Sequence, residues 1–138
     1  MRKIFNLTLT DIPKTAKSIA HKLRGGEVLA LVGELGSGKT AFTKALAKAL
    51  KVKDKVTSPT FVLMNVFPAV LPKNEKRVTL VHLDLYRTKN FRETKALGLN
   101  ELWQKKNTVT VIEWADKIKK HLPRASIKIS FSNEIPKF

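Results

Sequence analysis

The chain is 138 residues long, 43% hydrophobic and 28% charged, with 27 basic and 11 acidic side chains and a formal net charge of +16. A chain of this length forms one domain that buries roughly two-thirds of its unfolded surface, and the composition excludes disordered and fibrous proteins. The absence of cysteine excludes disulfides, zinc–thiolate sites and thiol catalysis, while no apolar run approaches the ~20 residues of a membrane span. The first residues, Met1 to Asn6, have no signal-peptide pattern, so a cytoplasmic protein without membrane association is expected. The positive charge suits an anionic ligand or partner such as ATP, RNA or an acidic protein surface. It is spread evenly, with 12 basic and 4 acidic side chains in residues 1–69 and 15 and 7 in residues 70–138, so each half carries +8. No basic tail or patch stands out, and a lysine-rich solvated surface explains the charge as readily as a nucleic-acid footprint does.

In chain order, residues 3–9 have mixed strand character, and Thr10-Asp11-Ile12-Pro13 supplies capping and first-turn residues for a helix. Ala16, Ile19, Ala20 and Leu23 form its apolar stripe, and Gly25-Gly26 ends it. Val28 to Val32 is an unbroken apolar run, as expected of a strand covered on both faces. After the segment Gly33 to Thr40, Phe42, Ala45, Leu46, Ala49 and Leu50 recur at helical spacing, opposite Lys44, Lys48 and Lys51. Residues 51–55 read as a polar connector and residues 61–67 as a strand. Residues 68–76, with two prolines, read as an exposed loop that joins this strand to the next as a hairpin. Alternation over residues 78–86 puts Leu80, His82, Asp84 and Tyr86 on one face and Val81, Leu83 and Leu85 on the other. A short helical stretch near residues 96–103, broken by Gly98, precedes the buried-looking strand Val109 to Ile112. A charged helix over residues 116–121 and a strand over residues 126–131 close the chain.

Gly33-Glu34-Leu35-Gly36-Ser37-Gly38-Lys39-Thr40 matches the pattern GxxxxGK[ST] between a strand and a helix, where that pattern has a physical meaning. Its glycines let the backbone coil and aim N–H groups at phosphate oxygens, at the positive end of a helix. Lys39, read as a solvent-facing loop residue, is expected to reach the β- and γ-phosphates, and the Thr40 hydroxyl to be a ligand of the bridging Mg²⁺. Gly33, Leu35, Gly36, Ser37, Gly38, Lys39, Thr40 and Ala41 are thus the expected ATP contacts. Hydrolysis also needs a metal-side acid and something to position water. Asp84 and Glu113, each at the end of an apolar strand, are both candidates. Thr57-Ser58-Pro59-Thr60-Phe61 is a hydroxyl-rich segment in which Thr60 is a candidate sensor of the γ-phosphate, or else a plain turn. Trp114, beside Glu113, either lies over the nucleotide site or packs in the core.

These four pieces, Gly33 to Thr40, Ser58 to Phe61, His82-Leu83-Asp84-Leu85-Tyr86-Arg87 and Glu113-Trp114, resemble the TsaE (formerly YjeE) family, ATPases of tRNA threonylcarbamoyladenosine biosynthesis, over most of the chain from about Thr15 to Trp114. The resemblance implies a P-loop NTPase α/β fold as a single domain over residues 1–138, with a mainly parallel central sheet flanked by helices and an antiparallel hairpin portion. It also implies Mg²⁺-dependent ATP hydrolysis that supports the TsaB and TsaD proteins, with tRNA reached only through that complex. Carried over by position, Thr40 and Glu113 hold the metal, Lys39 the phosphates, Asp84 serves hydrolysis, Ser58 to Thr60 form a switch-like loop, and Thr15 lies near the nucleotide base. Glu34 stands where the family usually has Asp, and the chain ends soon after its last strand, where many relatives continue. Two rivals share the fold or the charge: a small-molecule kinase, for which the chain shows no lid-sized arginine-rich insertion, and an ATP-switched nucleic-acid-binding protein, for which it lacks an aromatic–basic stacking motif.

Overall fold

The computed structural model describes residues 3–34, 38–54, 56, 64–86, 92 and 98–131. A run as apolar as Val28–Val32 has no polar face to offer water, so it belongs inside a sheet. It forms β2, counting Lys3–Leu7 as β1, and lies between two parallel neighbours, β5 (Thr108–Glu113) and β6 (Ile127–Phe131). β1 pairs in parallel with β6, and β4 (Arg77–Asp84) in parallel with β5. β3 (Met64–Val70) completes the sheet antiparallel to β4, giving the order β1-β6-β2-β5-β4-β3. The carboxyl ends of five parallel strands therefore open on one side, the usual ligand crevice of such a sheet.

Helices cover both faces. α1 (Ile12–Lys22) and α2 (Lys39–Ala49) bury Ala16, Ile19, Ala20, Phe42 and Leu46 against Leu29, Leu31, Leu80, Val109 and Val111. Phe42 also meets Phe131 edge-on, with centroids 5.7 Å apart, which ties α2 to β6; Phe42→Ala is expected to cost about 3–5 kcal/mol. On the opposite face, α3 (Leu99–Leu102) and a 3₁₀ segment, Ala115–His121, pack on Val28, Ala30, Val81, Leu83 and Ile112. The alternation read along β4 is thus real, but both of its faces are buried because the strand is interior.

Several boundaries differ from the sequence expectations. A short 3₁₀ turn, Leu9–Asp11, precedes α1, and the Asp11 carboxylate accepts from Thr8 N–H (3.2 Å) and Thr8 hydroxyl (2.9 Å), which holds its pKa below the ordinary value. Gly25 and Gly26 do end the α1 region, with φ of +102° and +93°. Pro68 lies within β3 rather than opening a loop: the strand is at the sheet edge, where a residue without an N–H is tolerated, and Val70 N–H points away from β4 to Leu50 carbonyl (2.8 Å). The hairpin turn is confined to residues 71–76, and residues 61–63 lie outside the described residues. β4 stops at Asp84, whose carboxylate turns the chain by accepting from Tyr86 N–H at 3.0 Å. Gly98, with φ of +72°, caps α3 at its start, and residues 96 and 97 of the expected helical stretch lie outside the described residues. The charged segment after β5 is not one α-helix but two short 3₁₀ pieces that meet at a kink, where Ile118 has non-helical φ of −123° and ψ of 28°; Ala115 and Ile118 are its buried residues. No helix among the described residues is long and apolar enough to cross a membrane.

Candidate functional site

β2 delivers the chain to Gly33 and Glu34 at the carboxyl side of the sheet, and Gly38, with φ of +113°, starts α2 there. Leu35, Gly36, Ser37 and Thr60 lie outside the described residues. Lys39 is the first residue of α2 and is buried, not solvent-facing as its place in the motif implied. Its ammonium donates to the carbonyls of Gly33 (2.7 Å) and Glu34 (2.8 Å) and lies 3.9 Å from the centroid of the Trp114 ring. Burial lowers its pKa, against the opposing pull of Glu113, Asp116 and Asp84.

Thr40, one residue on, donates its hydroxyl to Glu113 Oε1 at 2.8 Å. Two residues 73 apart in sequence meet because β2 and β5 are neighbours: Glu113 pairs with Leu31, just before the loop, and α2 starts just after it. Glu113 is the last residue of β5 and is buried, with Oε2 at 2.5 Å from His82 Nε2. Asp84 lies opposite Glu113 in the β4–β5 register, so the two candidate acids are neighbours. Burial raises the Asp84 pKa; the Tyr86 N–H opposes that rise, the nearby Glu113 charge adds to it, and His82 and Lys39 oppose it.

Trp114 occupies the left-handed region (φ +59°), where a bulky residue is uncommon, and this turn carries the ring from the strand end to Lys39. The ring also meets Tyr86, with centroids 5.1 Å apart, and Lys117 Nζ donates to Tyr86 carbonyl. Ala41 is exposed in the first turn of α2, and Thr15 is half-buried on α1, which packs along α2. The sequence singled out Asp84 and Glu113 but not the His82 contact, whose only sequence signal is a polar residue sharing a face with Asp84 inside an apolar strand.

The residues present fit a magnesium–nucleotide. Among the described residues, no three His, Cys, Asp or Glu side chains form a metal cage. Mg²⁺ does not need one, because it takes one or two protein oxygens and completes its shell with phosphate and water. The adjoining hydroxyl and carboxylate of Thr40 and Glu113 are such oxygens, beside a buried amine suited to phosphate.

A phosphate-loop strand and helix on a mainly parallel sheet, with an acid-ended neighbouring strand, define a protein of the P-loop NTPase fold class. The chain belongs to the TsaE family, "Threonylcarbamoyl adenosine biosynthesis protein TsaE", which matches residues 8–137. It is 41% identical over 111 residues to the tRNA threonylcarbamoyladenosine biosynthesis protein TsaE of Aquifex aeolicus, covering 79% of this chain and 73% of that one. With the protein of the same name from Treponema pallidum it shares 33% over 120 residues, covering 87% and 83%. Among solved structures, the crystal structure of YdiB from Bacillus subtilis superposes with a TM-score of 0.64 at 30% identity, over 93% of this chain and 75% of that one.

Proposed function

We propose that this chain is a cytoplasmic Mg²⁺-dependent ATPase that supports the TsaB–TsaD transferase in tRNA threonylcarbamoyladenosine modification, with tRNA reached only through that complex. The observation that carries the reading is the 2.8 Å contact between Thr40 hydroxyl and Glu113 carboxylate at the start of α2. The family membership supplies the pathway. In this reading Gly33, Gly38 and the rest of the loop offer backbone N–H groups to the phosphates, and Lys39 leaves its two carbonyls to neutralise them. Thr40 and Glu113 hold the metal, and Asp84, on the adjacent strand, orients the attacking water. Bound Mg²⁺ supplies charge neutralisation at the phosphate oxygens. Thr15 and Trp114 flank the nucleotide, and residues 57–60 respond to the γ-phosphate.

The test is an ATPase assay on the isolated chain and with purified TsaB and TsaD from the same source, with product analysis. Release of inorganic phosphate, stimulated by the partners, is expected. A phosphorylated small-molecule acceptor would identify a kinase instead, and absence of nucleotide binding would end the reading. ATP-analogue and ADP states should bind the partners unequally, with Thr60→Ala shrinking the difference; equal affinities by calorimetry would exclude nucleotide-gated assembly.

A further inference from the structure

His82 lies inside β4 with no exposed surface, flanked in sequence by buried Val81 and Leu83. Its register partner on β5 is Val111, and its ring reaches one step further along that strand, to Glu113. The second ring nitrogen, Nδ1, is buried without a hydrogen-bond partner among the described residues. An unmet buried polar atom costs about 1–3 kcal/mol, so an aliphatic side chain would serve the core better at this position. What the imidazole adds is one N–H aimed at a carboxylate. An ionised carboxylate only accepts, so Nε2 carries the proton in this contact.

The two oxygens of Glu113 are therefore divided between two donors on different elements, Oε1 to Thr40 on α2 and Oε2 to His82 on β4. Thr40 alone would leave the carboxylate free to pivot about one hydrogen bond, beside the like charge of Asp84. We infer that His82 is a positioning residue: by engaging Oε2 it holds Glu113 with Oε1 at the start of α2, and thereby sets how much Mg²⁺ nucleotide binding requires. The inference rests on the reading of Glu113 as a metal-side acid. Outer partners that orient a ligating group commonly matter 10–100-fold for metal affinity.

Two variants separate this role from packing. His82→Leu removes the N–H, whereas His82→Gln places an amide N–H near the position of Nε2. Binding of a non-hydrolysable ATP analogue is measured by calorimetry in EDTA and across a Mg²⁺ series. His82→Leu is expected to raise the Mg²⁺ concentration for half-maximal enhancement roughly 10–100-fold while sparing affinity in EDTA, and His82→Gln to restore most of the loss. In the nucleotide-free protein, the Thr40 methyl NMR resonance should move in His82→Leu and return in His82→Gln. A folded His82→Leu protein with unchanged Mg²⁺ requirement and unchanged Thr40 resonance overturns the inference, as does equal impairment in both variants. Should His82→Leu fail to fold, a normal Mg²⁺ requirement in His82→Gln supports the role and a raised one overturns it. If the unmodified chain shows no Mg²⁺-dependent binding, the proposed function fails, and the Thr40 resonance alone decides whether His82 positions Glu113.

Discussion

The ammonium of Lys39 lies 3.9 Å from the centre of the Trp114 ring, so the phosphate-loop lysine and the residue after the strand-end acid are in direct contact. This contact, together with the carbonyls of Gly33 and Glu34, satisfies a buried amine that has lost most of its water. Reaching a phosphate means leaving this position. With Trp103→Phe as background, Trp114 is the sole indole, and its emission is expected to change when Mg²⁺–ATP binds. Lys39→Ala should abolish both that response and nucleotide binding while the protein stays folded. An unchanged emission at saturating ATP would show that Lys39 does not move.

Glu113→Gln should weaken Mg²⁺-dependent binding of an ATP analogue and leave binding in EDTA nearly unchanged, because the amide keeps the shape but loses the charge. Glu113→Ala does more. It strips the acceptor from both the Thr40 hydroxyl and the buried His82 N–H, so a stability loss of about 1–3 kcal/mol is expected in urea unfolding.

Asp84→Asn is expected to lower kcat by about a hundredfold or more while sparing ATP affinity, the pattern of a group that acts on the attacking water rather than on the ground state. Equal losses in affinity and turnover, measured by calorimetry and single-turnover kinetics, would reassign Asp84 to binding.

The raised Asp84 pKa has a definite sign in stability. The folded protein holds this proton more tightly than the unfolded chain, whose ordinary value is 3.8, so the group favours folding most below that value. As pH rises through the higher folded-state value, this contribution is lost. Against Asp84→Asn, the unmodified protein should therefore lose thermal stability as pH climbs out of the ordinary aspartate range. Parallel Tm-versus-pH curves would contradict burial as the cause.

Gly25, at the opposite end of the sheet from the proposed nucleotide site, offers a control. Its φ is +102°, and an added Cβ would lie 2.5 Å from Lys106 carbonyl. Gly25→Ala should destabilise the fold by about 1–3 kcal/mol through backbone strain, visible as a lower urea midpoint, without changing the Mg²⁺ dependence of ATP binding.

The parts of this molecule written in short-range pattern are legible in the sequence. Val28–Val32, the α2 stripe and the acids ending β4 and β5 follow from apolar runs and helical spacing. What depends on register is not. Nothing local says that residue 82 faces residue 113, because that contact exists only once β4 and β5 align in parallel with His82 beside Val111. Lys39 looks exposed in the sequence because a motif shows spacing, while in the fold it is buried in contact with the Gly33 and Glu34 carbonyls and with Trp114, set by a left-handed turn that bulky residues seldom adopt. Pro68 misleads in the opposite way, since its meaning depends on whether a strand is at an edge.

That edge has a bearing on how the protein meets its own copies. Alternate residues of β3 turn their N–H groups away from β4, in the set that contains Val66, Pro68 and Val70. Val70 spends its N–H on Leu50, and Pro68 has none to offer. An incoming strand would find its ladder interrupted at two consecutive outward sites, with exposed Val66 left beside them. The hairpin thus blocks edge-to-edge growth on the β3 side of the sheet, the route by which open sheets polymerise into aggregates, and leaves β1 as the opposite edge.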